Sequence, residues 1–249
     1  MSGHSKWSTI KRKKEKTDAK RGRVFTRLIK EITVSARQGG GDIDSNPRLR
    51  TAITNAKMEN MPQSNIERAM KKGTGELPGT TYEEAHFEGY GPNGVAIFIE
   101  ALTDNKNRTT ADIRRILTRF GGNMGESGSV TWIFHQKGLV HIKRDDINED
   151  RLLEVSLEGG AEDVSLQGNI YEITTDPLSF ESVKESLEKE NFKVLKAEIT
   201  KVPQSTVKIN DKNSASKIIN LMEALEEQED VQNVYSNFDI PDKILEKLV

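Results

Sequence analysis

The hydrophobic spacing of this chain changes character at Gly73-Thr-Gly-Glu-Leu-Pro-Gly79. From about residue 18 up to that stretch, apolar residues recur every three or four positions, the period of a helix. Beyond it, short apolar runs with strand-like composition appear and alternate with helical stretches. The glycine- and proline-bearing segment has the composition of a linker and marks a first boundary. At 249 residues the chain is near the size at which a single core splits, so two or three domains are expected.

Before the boundary the spacing predicts three helices. The first runs over about 18–38 and stops at Gly39-Gly40-Gly41. Asn46-Pro47 reads as an N-cap followed by proline at the first helical position, and Leu49, Ala52, Ile53 and Ala56 make the core stripe of a second helix. A third carries Ile66, Ala69 and Met70, opens on the capping-box pattern Ser64-x-x-Glu67 and closes at Gly73. Residues 1–16, apolar only at Trp7 and Ile10, read as an extended arm, with Trp7 an anchor that packs back or stacks on a base.

Beyond the boundary, 86–88 and 95–102 read as strands joined by the turn Gly91-Pro92-Asn93-Gly94, followed by a helix from about Arg108 to Phe120 and strands at 129–135 and 139–143. A helix at 148–158, strands at 162–166 and 169–174, a helix at 179–190 and a strand at 194–201 complete the β-α-β-β-α-β order of a ferredoxin-like unit. A strand at 205–209, a helix at 215–227 and a strand at 231–236 remain. The economical reading is an α+β chain: a basic helical domain with its arm (1–78), a discontinuous α+β domain (79–134 plus 204–249), and a ferredoxin-like α+β domain inserted at 135–203.

Charge is segregated along this order. Residues 1–40 hold seven lysines and five arginines against three acids, a net +9, and residues 76–249 carry a net −13. At about 100° per residue, Lys20, Arg23, Arg27, Lys30 and Arg37 share one face of the first helix, opposite Val24, Phe25, Leu28, Ile29 and Ile32. Most charged stripes are only solvated faces, but those usually mix signs. This stripe has one sign and continues the run Lys11-Arg12-Lys13-Lys14-x-Lys16. Lys6, Lys11, Arg12, Lys13, Lys14, Lys16, Lys20, Arg21, Arg23, Arg27, Lys30 and Arg37 are therefore the candidate nucleic-acid contacts. Arg108, Arg115 and Arg119 lie roughly within one face of the middle helix. They extend that surface or pair with Glu83, Glu84 or Glu88.

Reactive chemistry is not visible. The absence of cysteine excludes disulfides, thiol catalysis and cysteine-ligated metals and fits a cytoplasmic location. His4, His86, His135 and His141 form no metal-ligand spacing and read as surface or turn residues. The run Gly121–Ser129 leaves a helix and opens a strand, the reverse of a phosphate loop, and no lysine follows its glycines. It serves either as a contact loop, with Asn123 and Met124 as further secondary contacts, or as a connection whose glycines meet backbone needs alone. Glu88, Glu100, Asp104 and Asp112 read as solvated carboxylates. No catalytic residue, cofactor site or metal site is expected. The chain has no 18-residue apolar run and no apolar leader, so no membrane partner is expected, nor a small-molecule substrate.

Several ordered motifs carry a resemblance. Gly3-His4-Ser5-Lys6-Trp7, Ile10-Lys11 and Asp18-x-x-Arg21-x-x-x-Phe25 are followed by Phe87-Glu88-Gly89-Tyr90-Gly91-Pro92-x-Gly94-Val95. Asp104-Asn105-x-Asn107-Arg108-Thr109 and Gly122-x-x-Gly125-x-x-Gly128-Ser129-Val130 then complete a set spanning residues 3–134. Together they resemble the YebC/PmpR family, which includes the mitochondrial translational activator of cytochrome oxidase. The resemblance implies three domains and a non-enzymatic regulator of gene expression. Two partners stay open: duplex DNA, as for a transcriptional regulator, or ribosomal or transfer RNA and the ribosome, as for a translation factor. The residues show neither a helix that gathers base-reading side chains nor the aromatic sheet of an RNA-recognition motif, so their chemistry stops at phosphate.

Overall fold

The computed structural model describes residues 18–145, 147–245 and 248, without the side chains of 18–21 and 242. The expected arm, with Trp7, lies outside the described residues. Two compact units emerge: Trp132–Thr206 is one, and the described chain before and after it forms the other.

The larger unit begins with α1 (Asp18–Gly39), α2 (Pro47–Met58) and α3 (Gln63–Thr74). Ile32 and Ala36 of α1 bury against Leu49, Ala52, Ile53 and Ala56 of α2 and Ile66 and Ala69 of α3. Asn46 joins two helix ends with one buried side chain. Its Oδ1 accepts from the Leu49 amide at 3.0 Å, and its Nδ2 donates to the Ser35 and Gly40 carbonyls, both at 2.8 Å. The expected capping box at Ser64 does not form. Helix α3 starts two residues earlier than a Ser64 cap requires, after Pro62, with no side-chain cap, and Glu67 accepts from Gln63 Nε2 instead. Where α3 crosses α1, a Cβ on Gly73 would sit 2.5 Å from the Thr33 carbonyl oxygen. Gly73→Ala should therefore force the two helices apart and cost about 1–3 kcal/mol, read as a lowered midpoint of thermal unfolding.

The same unit continues with β1 (Glu83–Tyr90), β2 (Ala96–Thr103), α4 (Lys106–Arg119) and β3 (Asn123–Met124). It resumes after the second unit with β8 (Val207–Lys208), α7 (Lys212–Glu226), β9 (Val231–Ser236), β10 (Phe238–Asp239) and α8 (Asp242–Leu245). The sheet order is β3-β1-β2-β9, all antiparallel, with β8 and β10 a separate parallel pair. Phe87, Ile97, Ile99 and Val234 from the sheet bury with Ile113 and Leu117 of α4 and Ile218, Met222 and Leu225 of α7. Across the sheet from that core, Phe98 packs against His86 and Tyr235, with ring centroids 5.6 and 6.2 Å apart.

The second unit holds β4 (Phe134–Lys143), α5 (Glu149–Gly159), β5 (Ala161–Gln167), β6 (Ile170–Thr175), α6 (Phe180–Lys189) and β7 (Val194–Pro203). Its antiparallel order β5-β6-β4-β7 is ferredoxin-like, and the chain as a whole is α+β. Two expectations fail here. Of the strand expected at 129–135, only Phe134 and His135 are strand; 129–133 are a loop and a 3₁₀ turn at Thr131–Ile133, and β4 runs unbroken from Phe134 through the break expected before Leu139. Gly138 is no turn residue. A Cβ there would lie 2.6 Å from the Phe180 ring, so this glycine lets α6 approach the strand. Among the described residues, no helix is long and apolar enough to cross a membrane.

Candidate nucleic-acid interface

Helix α1 turns Phe25, Leu28, Ile29 and Ile32 toward its helical neighbours. That leaves Arg23, Arg27 and Lys30 facing the acidic segment 226–230, which links α7 to β9. Arg23 Nη1 lies 2.9 Å from Glu227 Oε1, and Arg27 Nη2 donates to the Glu226 carbonyl at 3.2 Å. Lys30 Nζ lies 2.7 Å from Asp230 Oδ1 and donates to the Glu229 carbonyl at 3.0 Å. The Tyr82 ring lies 5.3 Å from the same ammonium.

Asp230 is the hub of this joint. Its Oδ2 accepts from Thr109 Oγ1 at 2.7 Å, Arg108 Nη2 at 2.8 Å and Thr103 Oγ1 at 3.3 Å. Burial by itself would push the carboxyl pKa up; the hydrogen bonds from Arg108, Lys30 and Thr109 outweigh it and hold the group well below the usual carboxylate range. Side-chain exposure is 8% for Lys30 and 2% for Asp230, so Lys30 cannot reach a phosphate. Its assignment as a nucleic-acid contact is corrected: it is a buried structural cation. Arg23 and Arg27 are engaged by the same segment, so this stretch of the stripe meets protein.

The middle helix α4 is drawn to the same place. Arg108 bonds Asp104 at 2.8 Å as well as Asp230, and Arg115 pairs with Asp112 at 3.3 Å. Two of the three acids weighed as partners for this helix are occupied elsewhere. Glu84 binds Arg48 of α2, which also grips Glu31 of α1, and Glu88 binds backbone amides. Arg108 and Arg115 line an open cleft of about 400 Å³ with Asp112, Glu227, Glu229 and Asp230. Two cations against four carboxylates do not make a groove for a polyanion. Arg119 is exposed, with its guanidinium 5.5 Å from the ring of Phe120.

The glycine-rich loop is closed by the molecule's own anion. Glu88, buried on β1, accepts from the amides of Gly128 at 2.7 Å, Val130 at 2.6 Å and Thr131 at 2.9 Å. Burial opposes ionisation of Glu88, but these backbone donors prevail and lower its pKa. Tyr90 Oη donates to the Ser129 carbonyl at 3.0 Å, and a Cβ on Gly122 would lie 2.3 Å from the Tyr90 carbonyl oxygen. Gly122 thus serves close approach to β1, whereas Gly121 and Gly128 supply left-handed backbone at φ 83° and 86°. Met124 packs against the sheet core, which corrects its assignment as a contact, whereas Asn123 is exposed. Glu88→Gln should cost about 1.5–3 kcal/mol and speed hydrogen exchange at the amides of Gly128, Val130 and Thr131 above all others. Uniform exchange in wild type and variant would refute this account of the loop.

Two further readings are corrected. Glu88 is no solvated carboxylate, and His141 is no surface histidine. His141 sits directly across from Glu172 in the β4–β6 register, with Nε2 3.2 Å from Oε2 and both residues buried. Among the described residues, no group of three or more His, Asp or Glu is arranged to hold a metal ion.

Two family models match the chain: the TACO1/YebC protein N-terminal domain over residues 5–76, and the TACO1/YebC second and third domain over residues 82–238. The chain belongs to the TACO1/YebC family. A probable transcriptional regulatory protein of Desulforapulum autotrophicum is 55% identical over 248 residues, and one of Citrifermentans bemidjiense is 56% identical over 249; each match covers 100% of both chains. The crystal structure of a conserved hypothetical protein from Aquifex aeolicus aligns with a TM-score of 0.78 and 50% identity, covering 91% of this chain and 93% of that one.

In this TACO1/YebC member the remaining expected contacts divide in two. Lys6, Lys11, Arg12, Lys13, Lys14 and Lys16 lie outside the described residues, as do the side chains of Lys20 and Arg21. Arg37 is exposed at the end of α1. Periodicity within α1 missed a further set of cations, Lys57 on α2 and Arg68 and Lys71 on α3, all exposed. The signal was available: residues 47–75 hold six lysines and arginines against two acids.

Proposed function

We propose that the chain is a non-enzymatic regulator of gene expression that acts by binding duplex DNA. The observation that carries this reading is the segregation of charge, +9 over residues 1–40 against −13 over 76–249, on a chain whose close relatives bear the name probable transcriptional regulatory protein. Within the reading, the arm and the helical region (1–78) bind phosphate. The discontinuous (79–134 plus 204–249) and inserted (135–203) α+β domains complete the three-domain chain, which acts in the cytoplasm.

The experiment is a comparison of the purified chain on labelled duplex DNA and on structured RNA across a salt series. Tighter binding to duplexes, with discrimination among sequences, is the expected result. Preference for ribosomes or structured RNA with only generic affinity for duplexes overturns it, and so does turnover of nucleotides or of nucleic acid.

A further inference from the structure

With Arg23, Arg27 and Lys30 of the α1 stripe turned against the segment 226–230, other cations of this unit are left facing water. On α3, Ile66, Ala69 and Gly73 are buried, which sets Arg68 and Lys71 one turn apart on the opposite, exposed face. The contact of Gly73 with the backbone of Thr33 and Arg37 puts the last turn of α3 beside the end of α1. Arg37 therefore joins Lys71 and Lys72 at one end of the helical region. Lys72 is half-buried, with its aliphatic stem against Gly79.

None of these four cations makes an ion pair among the described residues. The two neighbouring acids are held by neutral donors: Glu67 by Gln63 Nε2 at 3.1 Å and Glu76 by Thr74 Oγ1 at 2.8 Å. Complementing the helix dipole accounts for Lys71 and Lys72 in the last turn of α3, but not for Arg68 a turn earlier or for Arg37 on another helix. Elsewhere on the unit Arg23, Arg48, Arg108 and Arg115 have carboxylate partners, and Arg50 bonds the carbonyls of Ile43 and Asp44, whereas Arg37, Arg68, Lys71 and Lys72 gather without either among the described residues. A cluster left uncompensated in that setting has charge complementarity to a polyanion.

We propose that Arg37, Arg68, Lys71 and Lys72 form the surface of the folded helical region that takes the phosphates of duplex DNA, in place of the Arg23–Arg27–Lys30 face. The inference rests on the nucleic-acid reading above. The contacts are to backbone phosphate and carry no base readout: lysine and arginine supply the charge, and the exposed Gln63 of α3 is bonded to Glu67 at 3.1 Å.

The test uses the full chain and a labelled duplex, followed by fluorescence anisotropy across salt. Arg68→Glu with Lys71→Glu should weaken binding at least ~10-fold and flatten the dependence of log K on log salt by about two. The thermal midpoint should stay at the wild-type value. The milder pair Arg68→Gln with Lys71→Gln should show the same flattening, and it decides the matter if the reversed pair unfolds. Wild-type affinity and slope in both pairs overturns this surface and leaves the duplex-binding reading standing. Absence of duplex binding by the wild-type chain overturns the reading and the surface together. A wild-type preference for structured RNA, reduced by the same variants, overturns duplex DNA as the occupant.

Discussion

Asp230→Ala is expected to destabilise the larger unit by about 3–5 kcal/mol, because it leaves Lys30 buried without a counter-charge. For a unit of this size that is a fall of roughly 6–20 °C in the unfolding midpoint. Lys30 is held in place by Asp230 and the Glu229 carbonyl, and Arg108, Thr103 and Thr109 would lose their common acceptor at the same time. The double variant Lys30→Met with Asp230→Leu removes both charges and should recover much of the loss, since the pair's own net contribution is small once desolvation is counted. If the single variant melts with the wild type, the joint between α1 and the 226–230 segment is not structural.

The same carboxyl gives the unit an acid limit. Its pKa is depressed in the folded state, so its contribution is complete above the ordinary carboxylate pKa and falls away as pH drops toward the depressed value. Asp230→Asn should remove that contribution at neutral pH and flatten the loss of stability on acidification. Comparing urea unfolding at pH 7 and pH 3 checks both signs.

The largest binding effect is expected from salt. A surface making four to six phosphate contacts should lose roughly 10²–10³ in duplex affinity between 50 and 200 mM monovalent salt. Lys13→Glu with Lys14→Glu, in the strongest basic run of the arm, should reduce affinity by more than tenfold and take about two from the salt slope while leaving the melting midpoint in place. A salt-independent affinity would mean that the basic segment does not meet phosphate. The pair Arg23→Glu with Arg27→Glu cannot serve this purpose, because it would also set like charges against Glu227 and break a hydrogen bond to the Glu226 carbonyl.

Local signals were read well where a local interaction decides the outcome. Asn46-Pro47 caps α2 because the cap needs only the amide three residues on, and the period of Leu49, Ala52, Ile53 and Ala56 names a buried stripe. Local signals misled where a distant partner decided. Ser64-x-x-Glu67 has the pattern of a capping box, yet the helix starts two residues earlier, after Pro62, and Glu67 turns to Gln63. Gly138 resembles a turn residue until Phe180 is seen to need its space. Glu88 looks solvated until the loop amides of Gly128, Val130 and Thr131 close on it from some 40 residues away.

The basic stripe of α1 shows the division most clearly. Sequence alone determined that a cationic segment precedes an acidic body, that Arg23, Arg27 and Lys30 share an azimuth, and that the family is TACO1/YebC. The tertiary structure decided what that azimuth faces: Glu226, Glu227 and Asp230, about 200 residues away in the chain. The reason is physical. Helical periodicity fixes the angle of a side chain about its own axis, whereas burial and charge pairing depend on the element packed against it. No local pattern encodes that choice of neighbour.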